Sequence, residues 1–185
     1  MVWEIVVKEI HAKSILSPSG IYGVDYAYNP YFGCAHGCVY CYARFVFISR
    51  NMDPRDWGRL LFPKINSVDL LKREVRSKRR GTVLISSVTD PYQEVENDYR
   101  LTRGGLEVLE RYGWPIVILT KSGNVVRDID IFRRYRYVEV GLTLTLANEN
   151  YRRVFEPRAP SYGERIRAVS YTHLRAHETE ADLVC

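Results

Sequence analysis

Apolar and polar positions alternate along this chain with two periods. Short runs that are apolar on both faces recur at roughly 30-residue intervals, and stretches with helical spacing lie between them. Tyr26 to Phe32 reads as an aromatic strand. Thr82 to Val88, Ile116 to Thr120 and Tyr137 to Leu144 are β-branched and apolar, as strands buried on both faces require. Helical stretches are expected from about Val39 to Arg50, with a break at Asp53-Pro54, and from Val68 to Lys78, capped by Asn66 or Ser67. Leu101 to Tyr112 places Leu101, Gly105, Val108, Leu109 and Tyr112 on one face, with Thr102 as N-cap and Gly113 as stop. Further helices are expected over Val125 to Tyr135 and from Glu149 to Phe155, ending before Pro157. The first 25 or so residues form a strand-and-turn entry with a turn at Ser17-Pro18-Ser19-Gly20.

Strand and helix in alternation predict stacked βαβ units and a parallel sheet, an α/β domain that is barrel-like or open. In such folds chemistry gathers beyond the carboxyl ends of the strands. Four exits are polar directly after an apolar run: Gly33-Cys34, Ser86 to Tyr92, Thr120 to Gly123 and Thr143 to Thr145. They are expected to meet at one rim as a pocket.

Composition narrows the class. With 185 residues, 46% of them hydrophobic, the chain can bury a core without a disulfide scaffold. No apolar run approaches the ~18 residues of a membrane-spanning helix, and Met1 to Lys8 lacks a basic leader pattern. A cytoplasmic protein with no membrane association is expected, in which cysteines act as ligands or reactive thiols.

The C-terminal segment departs from the pattern. Residues 169–179 resemble the translation of a transposase-type sequencing adapter, and Leu183-Val184-Cys185 resembles its continuation past an index. Residues 169–185 are therefore expected to be a non-native tail on a domain spanning 1–168, an N-terminal fragment of a longer protein. Setting that tail aside removes one arginine and three acids, so the net charge rises from the +5 of the whole chain to +7. Basic pairs and triplets at Lys72-Arg73, Lys78-Arg79-Arg80, Arg133-Arg134 and Arg152-Arg153 permit nucleic-acid contact, although helix ends carry such charges for their own dipoles.

The three remaining cysteines lie in one segment, Asn29-Pro30-Tyr31-Phe32-Gly33-Cys34-Ala35-His36-Gly37-Cys38-Val39-Tyr40-Cys41-Tyr42-Ala43-Arg44. The C-x3-C-x2-C spacing lets a short loop curl around one centre, and Gly33 and Gly37 permit the required dihedrals. Three readings stand: an iron–sulfur cube with one iron left open, a zinc site completed by His36 or a later residue, or inert core thiols. A zinc-binding nucleic-acid module and a non-catalytic iron–sulfur protein are the rival functions.

This segment resembles the signature of the radical S-adenosylmethionine (SAM) enzymes, and its wider pattern resembles the subgroup related to spore photoproduct lyase. So do Ser86 to Gln93, Leu119-Thr120-Lys121-Ser122, and Glu156-Pro157-Arg158-Ala159-Pro160-Ser161. The resemblance implies a partial (β/α) barrel, here cut after about four βα units. It implies a [4Fe-4S] cluster on Cys34, Cys38 and Cys41, and SAM bound at the open iron. Electron transfer into SAM would release a 5′-deoxyadenosyl radical that abstracts hydrogen from a substrate, nucleic-acid lesions being one candidate. Tyr40 would lie near the adenine. Ser87, Thr89, Lys121 and Thr143 would contact the polar groups of SAM, with Lys121 facing its carboxylate and Asp90 accepting from its ammonium. Tyr42 matches a hydrogen-relay tyrosine or packs under the cluster; His36 is expected to bond the loop backbone. A low-potential donor of flavodoxin or ferredoxin type is the implied partner. One departure stands out: the lyase's hydrogen-returning cysteine has no counterpart in Ser87-Val88-Thr89-Asp90, which makes thymine-dimer reversal doubtful.

Overall fold

The computed structural model describes residues 4–145 and 148–173. In chain order the strands are β1 (Val6–Val7), β2 (Leu16–Pro18), β3 (Tyr26–Tyr28), β4 (Tyr31–Phe32), β5 (Leu60–Pro63), β6 (Val83–Ile85), β7 (Ile116–Thr120) and β8 (Val138–Leu142). The helices are α1 (Phe45–Ile48), α2 (Ser67–Ser77), α3 (Glu96–Tyr99), α4 (Leu101–Arg111), α5 (Ile129–Arg134), α6 (Glu149–Phe155) and α7 (Tyr162–His173). Strands β3, β6, β7 and β8 run parallel in that order, and β2 joins the β3 edge antiparallel. This is the parallel-sheet α/β architecture that the alternation predicts.

Register decides where the chemistry goes. Tyr26, Val83, Ile116 and Val138 stand in one row across the sheet, and Tyr28, Ile85, Ile118 and Val140 in another. All four parallel strands therefore end at the same rim. The Thr143 amide extends the ladder by one bond, donating to the Thr120 carbonyl at 2.8 Å. Side chains alternate across the sheet. The outer row, Tyr28, Val83, Ile85, Ile116 and Ile118, packs with Leu71, Val75, Leu106 and Leu109 of α2 and α4 into the main core. On the other face, Ala27 and Leu84 are buried, whereas Leu119 and Glu139 are exposed. The concave side thus opens toward β8, as in a barrel that does not close.

Several boundaries differ from the expected ones. The aromatic run from Tyr26 to Phe32 is two strands in two sheets, because Asn29-Pro30 breaks the ladder. Strand β4 turns away to pair antiparallel with β5, which also carries β1 in a second, three-stranded sheet. The first helix begins only at a 3-10 turn, Tyr42–Arg44, since Cys41 is extended. Thr102 is not the N-cap of α4. Its hydroxyl donates to the Pro91 carbonyl at 2.8 Å, and Glu96 Oε2 accepts the Thr102 amide at 2.9 Å in the capping role. Asn66 precedes α2 but bonds Ala12 through both its amide atoms. Gly123–Asp128 is 3-10 before α5 begins.

Helix α7 was not expected. It runs through the start of the adapter-like segment, with Ala168 buried and Val169 packed against the core. The remainder of that segment, 174–185, and the first three residues lie outside the described residues. Among the described residues no helix is long and apolar enough to cross a membrane.

Candidate cofactor site

Strand β4 delivers the chain into the cysteine loop, which is three single turns in succession, each opened by a cysteine. The Cys34 carbonyl accepts from Gly37 N at 3.3 Å, that of Cys38 from Cys41 N at 3.2 Å, and that of Cys41 from Arg44 N at 3.4 Å. Gly33 (φ +85°) and Gly37 (φ +60°) occupy the left-handed region that favours glycine, and a Cβ on Gly33 would strike the Leu60 carbonyl. Cys34 and Cys38 are buried and Cys41 is half-buried. Burial pushes all three thiols above the ordinary cysteine range, Cys38 to about 11.

The β6 exit holds the loop from one side. Thr89 Oγ1 donates to the Gly33 carbonyl at 2.6 Å and accepts from Gln93 Nε2 at 2.9 Å, while Gln93 Oε1 accepts the Ala35 amide at 2.7 Å. Asn29 binds Ser87 Oγ at 3.1 Å and the Val88 amide at 3.2 Å. The exposed Tyr42, stacked on Phe45, donates its hydroxyl to the Ser87 carbonyl. His36 is buried with Nδ1 3.5 Å from Asp90 Oδ2, and its carbonyl accepts the Arg158 amide at 3.3 Å. Burial holds its imidazole below the ordinary histidine value, against the pull of Asp90.

Asp90 is a tie rather than an open acceptor. Its carboxylate takes Thr120 Oγ1 at 2.7 Å, Lys121 N at 2.8 Å and Tyr92 N at 2.9 Å, which joins the β6 and β7 exits. Lys121 then projects its ammonium 5.9 Å from the Tyr40 ring centre and 4.0 Å from Glu156 Oε1. The Tyr40 hydroxyl donates to Glu156 and lies 3.1 Å from Thr145 Oγ1. Thr143 is half-buried, and its carbonyl accepts from Arg165 at 3.0 Å. One hydrogen-bonded rim thus carries Tyr40, Tyr42, Ser87, Thr89, Asp90, Lys121 and Thr143.

Three thiols that open successive turns of one glycine-hinged loop are the kind of donor set an iron–sulfur cube takes. Among the described residues no three His, Cys, Asp or Glu side chains converge as the ligands of one metal ion do. Beside the loop, Ser86 holds φ +66° and buries an Oγ with no hydrogen-bond partner, an unmet polar atom at the rim. A separate groove of about 480 Å³ behind Gly37 is lined by Trp57, Arg59 and Arg158 and by none of the rim residues.

Residue reading alone passed over Asn29, Gln93, Glu156 and Arg165. The first three sit inside motifs already singled out, where only their contacts reveal a role. Arg165 had no signal, because its helix was not anticipated.

A βα series whose first strands lead into a three-cysteine loop at a polar rim is the architecture of the radical SAM superfamily. The model of that family matches residues 28–176, and the chain belongs to it. An uncharacterized protein of Methanocaldococcus jannaschii is 37% identical over 166 residues, covering 90% of this chain and 62% of its own length. One of Mycobacterium bovis is 32% identical, covering 78% of this chain and 44% of its own length, so the chain spans less than two thirds of either relative. A protein of Pseudomonas phage M6 described as a radical SAM Nalpha-GlyT isomerase is 27% identical over 75% of this chain and 28% of its own length. Among solved structures, a mutant of spore photoproduct lyase has a TM-score of 0.66 at 17% identity, covering 92% of this chain and 48% of the lyase. A second mutant, with AdoMet and dinucleoside spore photoproduct bound, has a TM-score of 0.61 at 16% identity, covering 90% and 46%. At such identities the likeness is one of fold.

Proposed function

We propose that Cys34, Cys38 and Cys41 hold a [4Fe-4S] cluster and that the strand-exit rim seats SAM against its open iron, in a cytoplasmic enzyme that starts a radical reaction on its substrate. One observation supports this above the others: the register of the parallel strands sets the β7 exit beside the cysteine loop, with the Lys121 ammonium 5.9 Å from the ring centre of Tyr40 within it. When bound, the cofactor pair supplies reductive cleavage of a carbon–sulfur bond and the hydrogen abstraction that follows.

The chain's own residues bind and orient. Lys121 offers the cation for a carboxylate, and Asp90 fixes the backbone from which Lys121 projects. Ser87 pairs its hydroxyl with the Asn29 side-chain amide and Thr89 holds the Gly33 carbonyl, so both act through the segments they hold. Thr143 extends the rim along the β8 exit, and Tyr40 offers its ring to the adenine. Tyr42, tied to the Ser87 carbonyl, is the candidate hydrogen relay.

Nucleic acid is the substrate class favoured by the basic helix ends, and by neighbours one of which carries a dinucleoside. The lack of a cysteine in Ser86 to Gln93 favours a reaction other than thiol-assisted dimer reversal. A low-potential flavodoxin or ferredoxin is the matching electron donor. This 185-residue chain is expected to bind both cofactors with little turnover by itself.

Anaerobic reconstitution with iron and sulfide tests the reading. The reduced protein should show a cluster resonance that shifts when SAM is added. Replacing any of Cys34, Cys38 or Cys41 by serine should abolish it. Release of 5′-deoxyadenosine is then measured with this chain and, beside it, with its Methanocaldococcus jannaschii relative. Stoichiometric zinc without a SAM response would overturn the proposal, and a cluster indifferent to SAM would leave a scaffold protein.

A further inference from the structure

One buried acid at the rim belongs to none of these assignments. Glu156 is fully buried in the turn after α6, and its two oxygens face different parts of the fold. Oε1 takes the hydroxyls of Tyr40 and Thr145 and has the Lys121 ammonium 4.0 Å away. Oε2 takes Arg165 Nη2 at 2.5 Å. Arg165 is itself fully buried and donates onward to the carbonyls of Thr143 and Pro160, each at 3.0 Å. Two backbone bonds stitch the same segment to the cysteine loop: Val39 N to the Phe155 carbonyl at 2.9 Å, and Arg158 N to that of His36 at 3.3 Å.

A buried carboxylate–guanidinium pair is a poor way to gain stability, because both ions lose their hydration. Its effect here is to join four segments that chain order keeps apart: the cysteine loop, the β7 exit, the β8 exit and α7. Burial would raise the Glu156 carboxyl, but hydrogen bonds from Thr145, Tyr40 and Arg165 outweigh it and hold the group below its ordinary value. A fixed negative charge therefore stands between a phenol and an ammonium.

We propose that the Glu156–Arg165 pair is a positioning clamp that holds Tyr40 and Lys121 in the arrangement that receives SAM, so that residues 156–165 complete the cofactor site. The clamp rests on the cofactor reading above, and it makes the docking of α7 a condition for tight SAM binding.

Two measurements separate the clamp from the reading beneath it. In the cofactor-free chain, E156Q should speed hydrogen exchange of the amides of residues 37–42 about tenfold, with the amides of α4 unchanged. In reconstituted protein, E156Q should keep wild-type iron and sulfide content but weaken SAM about tenfold and lose the SAM-induced shift of the cluster resonance. Because Glu156 acts through Tyr40, the double variant E156Q/Y40F should bind SAM no worse than E156Q alone. If E156Q does not fold, Y40F and T145V carry the test, since neither residue lies in the buried core. SAM affinity within twofold of wild type in cluster-loaded variants, or additive losses in the double variant, would overturn the clamp. A wild-type chain that takes up cluster but no SAM sinks the cofactor reading instead, and the exchange experiment still decides whether Glu156 holds the loop.

Discussion

Gly58 crosses Gly37 at backbone contact: a Cβ built on Gly58 would stand 2.8 Å from the Gly37 Cα, and Gly58 holds φ +88°. The cysteine loop therefore rests on the turn after Trp57, with no room for a side chain between them. Gly58→Ala should lower stability by about 1–3 kcal/mol, from φ strain and overpacking together. It should also reduce the iron that the loop takes up. Gly20→Ala is the control, since a Cβ there meets nothing within 4 Å. Urea unfolding and iron content of the two variants check this, and equal behaviour would contradict the crossing.

Gly105 lies inside α4, where alanine would ordinarily gain about 1 kcal/mol of helix propensity. Here the added Cβ would stand 2.8 Å from Cζ of Tyr28, a fully buried ring whose hydroxyl donates to the Leu101 carbonyl at 3.0 Å. Overpacking of about 1–3 kcal/mol outweighs the propensity gain, so Gly105→Ala should destabilise. A higher urea midpoint for this variant would show that Tyr28 can move aside.

Glu96 is buried beneath the start of α4. It accepts the Tyr31 hydroxyl, the amides of Thr102 and Arg103 at 2.9 and 3.2 Å, and Arg127 Nη2 at 2.8 Å. Removing it leaves a cation and two helix-start amides with reduced compensation. Glu96→Ala should cost about 3–5 kcal/mol, and Glu96→Gln less, because the amide oxygen keeps one acceptor. Denaturation curves that place both variants within 1 kcal/mol of wild type, inside the range of a surface change, would refute this.

Lys64 donates to the Asn29 carbonyl at 2.7 Å, and burial with Arg50 nearby lowers its amine to about 8. The folded state releases this proton near pH 8, whereas the unfolded chain keeps it to the ordinary lysine range. Across that window the unfolded state binds more protons, so this group makes stability rise with pH. The three buried thiols, raised by burial, pull the other way over the same window, so Lys64→Met should shift the slope of stability between pH 8 and 9.5 toward the negative relative to wild type. Above that, buried Tyr28 and Tyr31, whose phenols burial pushes far up, pull stability the other way. An unchanged slope in the variant would mean that the amine stays charged.

Much of this was written locally. Apolar runs such as Val83-Leu84-Ile85 and Ile116 to Thr120 specify buried strands by composition, and the helical spacing of Leu101 to Arg111 specifies the face that covers them. The cysteine spacing and its flanking glycines are equally local, since a loop that curls around one centre needs only neighbouring residues. The second sheet was not legible, because Asn29-Pro30 splits an unbroken aromatic run, and β5 finds partners in strands far from it along the chain. Helix α7 was missed because its contacts lie with the 3-10 turn at Gly123–Asp128 and with the rim, not in its own pattern.

By itself, then, the order of residues determined the strand series, the covering helices and the three-thiol loop, all of which follow from periods and spacings within a few residues. Tertiary structure decided which polar groups meet. Asp90 became a tie between two exits, and Glu156 came to stand between Tyr40, Lys121 and Arg165, residues drawn from three separate segments. The reason is physical: a buried charge is tolerated only where partners converge on it, and that convergence is set by sheet register and helix docking rather than by neighbours along the chain.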